Sequence, residues 1–187
     1  VAYGAYQGEL RSLVHLLKYK GMQPVARRLG RLLADCLEAF AGTVPQMLVI
    51  AVPMHSAKER LRGFNHAELL ARAAMAEMRR RHPQWGLHLE TDLLQRVRIT
   101  VSQAGLTTHQ RRQNLRGAFF APHPQRLVGR DVLLIDDIYT TGATARACSR
   151  VLRNAGARSV RVATVARAQR EGVAFWEAGF LESRQVN

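Results

Sequence analysis

The 187-residue chain is short of aromatic residues, of lysine, of acidic residues and of cysteine, and each shortage narrows what it can be. Aromatics make up 6% of the chain while hydrophobic residues reach 47%, so the core must rest on Leu, Val, Ile and Ala. That amount suits one well-buried domain rather than two. The two cysteines, Cys36 and Cys148, stand far apart and belong to no CxxC pair, which argues against a disulfide framework and a Cys-rich zinc site. Both read as small core residues on helices, because free cysteine behaves as a buried hydrophobe. No basic-then-apolar signal opens the chain. The longest apolar run, Met47 to Met54, falls far short of the roughly 20 residues a membrane-spanning helix requires. The expectation is a soluble, cytoplasmic protein with no membrane insertion; Val1 is not an initiator methionine, which leaves room for an upstream segment. The seven histidines form no HxH or HExxH cluster, so histidine metal ligation is not expected. His15 is expected to be packed, and His55 alone to lie near chemistry.

What the chain has instead is positive charge. Twenty-eight basic residues against 14 acidic ones leave a net charge of +14 and a pI near 11.3, which favours anionic partners: phosphorylated small molecules, nucleic acid or a membrane surface. Only Lys18, Lys20 and Lys58 are lysines, so 28 − 3 leaves 25 arginines. Arginine's planar fork suits phosphate, although genome base composition also swaps Lys for Arg across a surface. The sign of the charge therefore carries more information than the choice of arginine. From Leu93 to Arg130 there is no Asp or Glu, but there are arginines at 96, 98, 111, 112, 116, 126 and 130.

Periodicity predicts alternating helices and strands. Gly8 to Tyr19 spaces Leu10, Leu13, Val14, Leu16 and Leu17 as a helix does. A second helix follows Pro24 to about Phe40, with Val25, Leu29, Leu32, Leu33, Cys36 and Leu37 on one face. Met47 to Val52 and Val132 to Ile135 are continuous apolar runs of strand length, as in parallel strands buried on both faces. A long helix beginning after Gly63 and Asn65 must stop before His82-Pro83, since the residue preceding proline is pushed out of the helical region. Leu87 to Leu94 and Ser159 to Ala166 read as strands, and Thr144 to Asn154 as a helix ended by Gly156. Residues 96–110 read as a mobile loop running into a short helix, and Phe175, Trp176 and Phe180 as packing the tail onto the body. Strands alternating with helices predict an α/β domain with a mainly parallel sheet and helices on both faces.

In such a sheet ligands sit beyond the carboxyl ends of strands. Val132 to Ile135 delivers Asp136 and Asp137 to that edge, followed by Tyr139, Thr140, Thr141, Gly142, Ala143 and Thr144 ahead of a helix. Gly142 allows a tight turn and close approach of a ligand. The amides of residues 141–144 can then converge on one anion at the positive end of the helix, with threonine hydroxyls as further donors. Two carboxylates would repel a bare phosphate but suit the vicinal hydroxyls of a ribose that carries one. An apolar strand ending in Asp-Asp also occurs in Mg²⁺-binding receiver domains and in Walker B strands. Neither explains the T-G-x-T that follows, and no GxxxxGK[ST] is present to support an ATPase. Val52-Pro53-Met54-His55 is a loop at a strand's carboxyl end, well placed for function. Arg60 and Arg62 beyond it could clamp a pyrophosphate or simply form a solvated basic face.

The string VLLIDDIYTTGAT resembles the phosphoribosyl pyrophosphate (PRPP) signature of type I phosphoribosyltransferases. Further segments narrow the likeness: LKYKG at 17–21, RGFN at 62–65, TVSQAGL at 100–106 and RRQNLRGAF at 111–119, ahead of the PRPP string. Together they are similar to ComF-type, competence-associated phosphoribosyltransferase-like proteins, over most of the chain. Members of that family often carry an N-terminal Cys₄-type zinc segment, which this sequence lacks; His66 stands where glutamine is usual, and the loop around His109 lacks its usual acid.

The resemblance implies a type I phosphoribosyltransferase fold: hood and packing helices over 1–44, a core over 45–170 and a tail over 171–187. It implies that Asp136 and Asp137 hold the ribose hydroxyls, that residues 140–144 cradle the 5-phosphate, and that Val52, Pro53, Met54 and His55, with Arg60 and Arg62, take the pyrophosphate. Residues 100–112 would be a lid, with Gln103, Arg111 and Asn114 as its first residues to test. Mg²⁺ would arrive with PRPP rather than on protein ligands alone. The implied partners are PRPP or a phosphoribosyl nucleotide and, through competence, single-stranded DNA and a helicase-like protein, with a homo-oligomer left open. A non-catalytic nucleotide sensor or DNA-binding accessory is the alternative to transfer, although the chain lacks the interleaved aromatics that stack single-stranded bases.

Overall fold

Five short segments with apolar side chains on both faces need a sheet covered on both sides, and the chain builds one. The computed structural model describes residues 1–20, 22–38, 46–99, 110 and 113–168. The sheet contains β1 (Ala2–Ala5), β2 (Gln46–Ala51), β3 (Gly86–Glu90), β6 (Asp131–Tyr139) and β7 (Ser159–Arg167), in the order β1-β7-β6-β2-β3 with every pairing parallel. Helices α1 (Gly8–Lys20), α2 (Gln23–Glu38), α3 (Ser56–Arg62), α4 (His66–Arg81) and α5 (Ala143–Asn154) connect the strands. A two-residue antiparallel arm pairs β4 (Gln95–Arg96) with β5 (Phe119–Phe120), and a 3₁₀ turn covers Pro124–Arg126.

Strand alternation divides the core in two. Leu133 and Ile135 of the central strand β6 point into a cluster with Val14 and Leu17 of α1, Leu29 and Leu33 of α2 and Leu70 and Met75 of α4. Val132 and Leu134 point the other way, against Cys148 and Leu152 of α5 and against Leu115, Phe119 and Leu127. This is the period-two geometry of a strand buried on both faces. The predicted α/β architecture with helices on both faces is the one observed.

Several details differ from the sequence reading. β1 is an edge strand paired with β7, and the alternation of small residues in AYGA had given no sign of it. β3 stops at Glu90, before Leu93 and Leu94, because Arg126 draws the chain into a turn by binding Glu90 (2.5 Å) and Asp92 (2.7 Å). Leu93 and Leu94 are nonetheless buried. The segment before α4 is a separate helix, α3, ended by Gly63 at φ 80°, whose amide binds the Glu59 carbonyl. His15 is exposed rather than packed, its ring 4.4 Å from that of Tyr19. Cys148 is buried as expected and Cys36 half-buried. Phe175, Trp176 and Phe180 lie outside the described residues. Among the described residues, no helix is long and apolar enough to cross a membrane.

Helices α2 and α4 approach closely at Gly30. A Cβ there would stand 2.6 Å from the Ala73 Cβ and 2.8 Å from the Ala73 carbonyl carbon. Since backbone cannot yield as a flexible side chain can, Gly30→Ala should destabilise the fold by about 1–3 kcal/mol despite alanine's better helix propensity. A urea denaturation midpoint equal to or above wild type would contradict this packing.

Candidate functional site

The apolar run of β6 continues four residues past Ile135, and its last turn of pleat carries the acidic pair. Alternation sends Asp137 to the face covered by α1 and α4, where it is 4% exposed. Lys18, in the last turn of α1, places its Nζ 2.9 Å from Asp137 Oδ2. His66, the first residue of α4, places Nε2 3.3 Å from the same oxygen. Asp136 sits beside this carboxylate, its Oδ1 accepting the Asp137 amide at 2.9 Å.

These surroundings push the two carboxyls apart. Burial alone would raise the Asp137 pKa, but His66 and Lys18 outweigh it and hold Asp137 below the ordinary carboxylate value. Asp136 moves the other way: burial, then the charge of Asp137, pushes it well above that value. Burial lowers the pKa of Lys18, yet the nearby carboxylates more than offset this and raise it, so the side chain is an ammonium. Burial drives His66 below its ordinary value, against the pull of the Asp137 charge. The other ring nitrogen of His66, Nδ1, is buried and without a hydrogen-bond partner. The two neighbouring carboxyls are thus shifted in opposite directions.

The turn after β6 leads into α5 through a left-handed glycine. Gly142 caps α5 at φ 72°, a conformation that disfavours any other residue. A Cβ on it would fall 2.2 Å from the Tyr139 hydroxyl, so glycine also lets the tyrosine lie across the loop. Arg167 of β7 stacks over that ring, 5.7 Å from its centroid, and Arg146 donates to the Thr141 carbonyl at 2.7 Å. The Thr141 hydroxyl is buried with no hydrogen-bond partner. The first amides of α5 have no partner within the helix, as at any helix start.

The 52–55 loop is held by β6 and by the residue that starts α4. The Val52 amide donates to the Ile135 carbonyl at 2.8 Å, and Asn65 donates Nδ2–H to the Val52 carbonyl at 3.1 Å while capping α4 through Oδ1. RGFN is therefore a local device: Arg62 ends α3, Gly63 stops it and Asn65 starts α4 and ties the loop down. His55 caps α3, its Nδ1 accepting the Ala57 amide at 3.2 Å. No residue of α3 is buried; Arg60 and Arg62 are exposed, and the Arg62 guanidinium lies 5.4 Å from the centroid of Tyr19. On the far side of the loop a cleft of about 450 Å³ is lined by Pro53, Met54 and His55 but also by Glu59, Glu68 and Glu90, which would repel a polyphosphate. Of the lid residues, Gln103 and Arg111 lie outside the described residues, and the Asn114 carbonyl accepts from Arg98 at 2.7 Å. The sequence reading passed over Lys18 and His66 as site residues. Lys18 did carry a signal: it is one of three lysines in a chain that otherwise uses arginine.

The chain is similar to known proteins along most of its length. Residues 86–187 match the family model described as "Phosphoribosyl transferase domain". The chain is 32% identical to DNA utilization protein YhgH of Escherichia coli O157:H7, over 87% of this chain and 69% of that protein. It is 31% identical to competence protein F of Haemophilus influenzae, over 90% of this chain and 72% of the relative. Among solved structures it is similar to the hypoxanthine-guanine phosphoribosyltransferase of Schistosoma mansoni, at 14% identity and a TM-score of 0.43, covering 78% of this chain and 57% of that one.

The split carboxyl pair makes stability depend on pH in a way each member can report. Asp136, with its folded pKa raised, keeps a proton that the unfolded chain has lost, so it costs stability progressively as pH rises above the ordinary carboxylate value. Asp136→Asn should therefore gain stability over wild type when compared at about pH 8, and little or nothing at about pH 4. Asp137→Asn strips Lys18 of its partner and should lose about 1–3 kcal/mol near neutrality. Urea titrations at both pH values check the pair; equal pH dependence in wild type and Asp136→Asn would show that the proton is not held there.

Proposed function

Because the chain belongs to the phosphoribosyl transferase domain family, among the relatives of competence protein F, we propose that it binds PRPP at the end of β6 and transfers or holds the 5-phosphoribosyl group. The observation that carries the reading is the Asp136–Asp137 pair, half-buried and buried in turn, beside the glycine-started α5. A protonated Asp136 can both donate and accept, and an ionised Asp137 only accepts, which matches the mixed donor and acceptor character of a vicinal diol. The 5-phosphate would then lie in the 140–144 turn, meeting the amides at the start of α5 and the Thr141 hydroxyl. The 52–55 loop, one strand away, would face the pyrophosphate, with Arg60 and Arg62 able to swing in from the exposed surface of α3.

In transfer, the bond between C1 and the pyrophosphate oxygen breaks with its electron pair leaving on pyrophosphate, and an acceptor's lone pair forms the new bond at C1. Positive charge builds on the sugar between the two events, as at other glycosyl centres. Asp137 orients the ring through its hydroxyls and places a negative charge near it, and donors on the departing pyrophosphate gain strength as its charge grows. Mg²⁺ belongs to this reading only with PRPP, where it would neutralise part of the pyrophosphate charge. The chain's own groups do not fit as its direct ligands. Although ligand atoms of His66, Asp136 and Asp137 lie within 4.8 Å of one another, the Lys18 ammonium already stands against Asp137.

A second reading rests on charge. The relatives' names connect them with DNA utilization and competence, and a net +14 supports salt-dependent binding of single-stranded DNA, with or without transfer. A helicase-like partner would fit the same setting.

Isothermal titration separates these readings. PRPP should bind wild type, and Asp137→Asn should bind it about tenfold or more weakly, the loss expected when a charged acceptor is removed. Undiminished PRPP affinity in Asp137→Asn would sink the site assignment. Single-stranded DNA that PRPP cannot displace, and whose binding Asp136→Asn leaves intact, would place DNA on another surface. Pyrophosphate release across a panel of bases then reports whether anything is transferred.

A further inference from the structure

Lys18 comes from α1, far from the motif in sequence, yet its Nζ lies 2.9 Å from Asp137 Oδ2 at the carboxyl end of the central strand. Its side chain is 25% exposed against 5% for that of Asp137, so the ammonium reaches inward from the rim to a buried partner. The stem is held in place by its neighbours: Val14 and Leu17 of the same helix are fully buried against β6 and β7. The other group on Asp137 Oδ2, His66 at 3.3 Å, is an imidazole whose own pKa burial lowers, so its charge is less secure than that of an ammonium. Among the described residues, Lys18 is therefore the fixed cation that compensates this carboxylate. A small, hydrated metal ion and an ammonium cannot share one oxygen without strong repulsion. The choice of residue agrees. An ammonium is a compact point charge that fits a single oxygen, whereas a guanidinium is a planar fork suited to two, and this chain uses lysine here against its general habit of arginine.

We infer that Lys18 is a positioning residue that takes the place of a divalent cation at the ribose-binding carboxylates, so that this chain grips a ribose 5-phosphate without metal. The inference rests on the reading of the site given above. Metal is then needed only for the pyrophosphate half of PRPP, whose charge Lys18 does not reach. Removing the ammonium leaves Asp137 uncompensated in a buried position and opens that position to a cation from solution. Loss of Lys18 should thus convert metal-independent binding into metal-dependent binding, a change that a merely structural tie between α1 and β6 would not produce.

The probe is ribose 5-phosphate, titrated into the full chain in EDTA and again in excess Mg²⁺. Wild type should bind with the same affinity, within about twofold, under both conditions. Lys18→Met should bind about tenfold more weakly in EDTA and recover most of that loss in Mg²⁺, while Lys18→Arg, which keeps the charge, should stay closer to wild type and gain little from Mg²⁺. Wild-type binding that requires Mg²⁺ overturns the inference and leaves the site reading standing, and this arm decides the matter even if Lys18→Met does not fold. Lys18→Met binding as well as wild type in EDTA also overturns it. Absence of ribose 5-phosphate binding by wild type under both conditions overturns the inference and the site reading together.

Discussion

A carboxylate buried at the end of a central parallel strand must find compensation or give up its charge, and the site follows from how Asp137 does so. Its partner comes from another element: the ammonium of Lys18 reaches it from the last turn of α1, and His66 at the start of α4 adds a second contact. With Asp137 held below the ordinary carboxylate range, Asp136 beside it is pushed above it, since two adjacent carboxylates resist joint ionisation. The pair thereby becomes asymmetric without help from outside the protein. The ion pair also joins the helix layer to the functional edge of the sheet, so that α1 contributes to the site as well as to the core.

The rest of the architecture supplies walls for this pair. The parallel order β1-β7-β6-β2-β3 puts β6 in the middle, with the 52–55 loop on one side and β7 on the other. Val52 is bonded to Ile135, one residue before the acidic pair, and Asn65 fastens the same loop to the start of α4. On the β7 side, Arg167 and Tyr139 lie across the glycine turn that begins α5. The start of α4 brings His66 to a carboxylate of this strand, and α5 is capped by Gly142, five residues after Asp137.

Local signals carried much of this. The apolar runs of β2 and β6 and the periodicity of α1, α2 and α4 predicted the elements because burial on one or both faces leaves a plain pattern. The DD-x-x-T-T-G-x-T string announced its turn because glycine at a left-handed position and threonines at a helix start have few other uses. What stayed hidden depended on distant contacts. β1 is four residues, Ala2 to Ala5, with no apolar run of their own, and they form a strand on the β7 edge beside them. Lys18 and His66 lie 119 and 71 positions before Asp137 in the chain, and no spacing rule connects them; only packing of α1 and α4 on one face of β6 brings them together. His55, the histidine expected near chemistry, spends its Nδ1 on capping α3, while His66, noted only as a departure from the family pattern, touches the acidic pair. The short arm of β4 and β5 was missed for a related reason, since two-residue pairings leave no periodicity to read.

The account stands most directly on where a ribose phosphate lies when bound. A crystal structure of the chain soaked with ribose 5-phosphate should show the two ring hydroxyls against Asp136 and Asp137, the phosphate in the 140–144 turn against the amides that begin α5, and Lys18 still on Asp137. A phosphate seated instead on the 52–55 loop or on the arginines of α3, with the Asp136–Asp137 pair untouched, would contradict it.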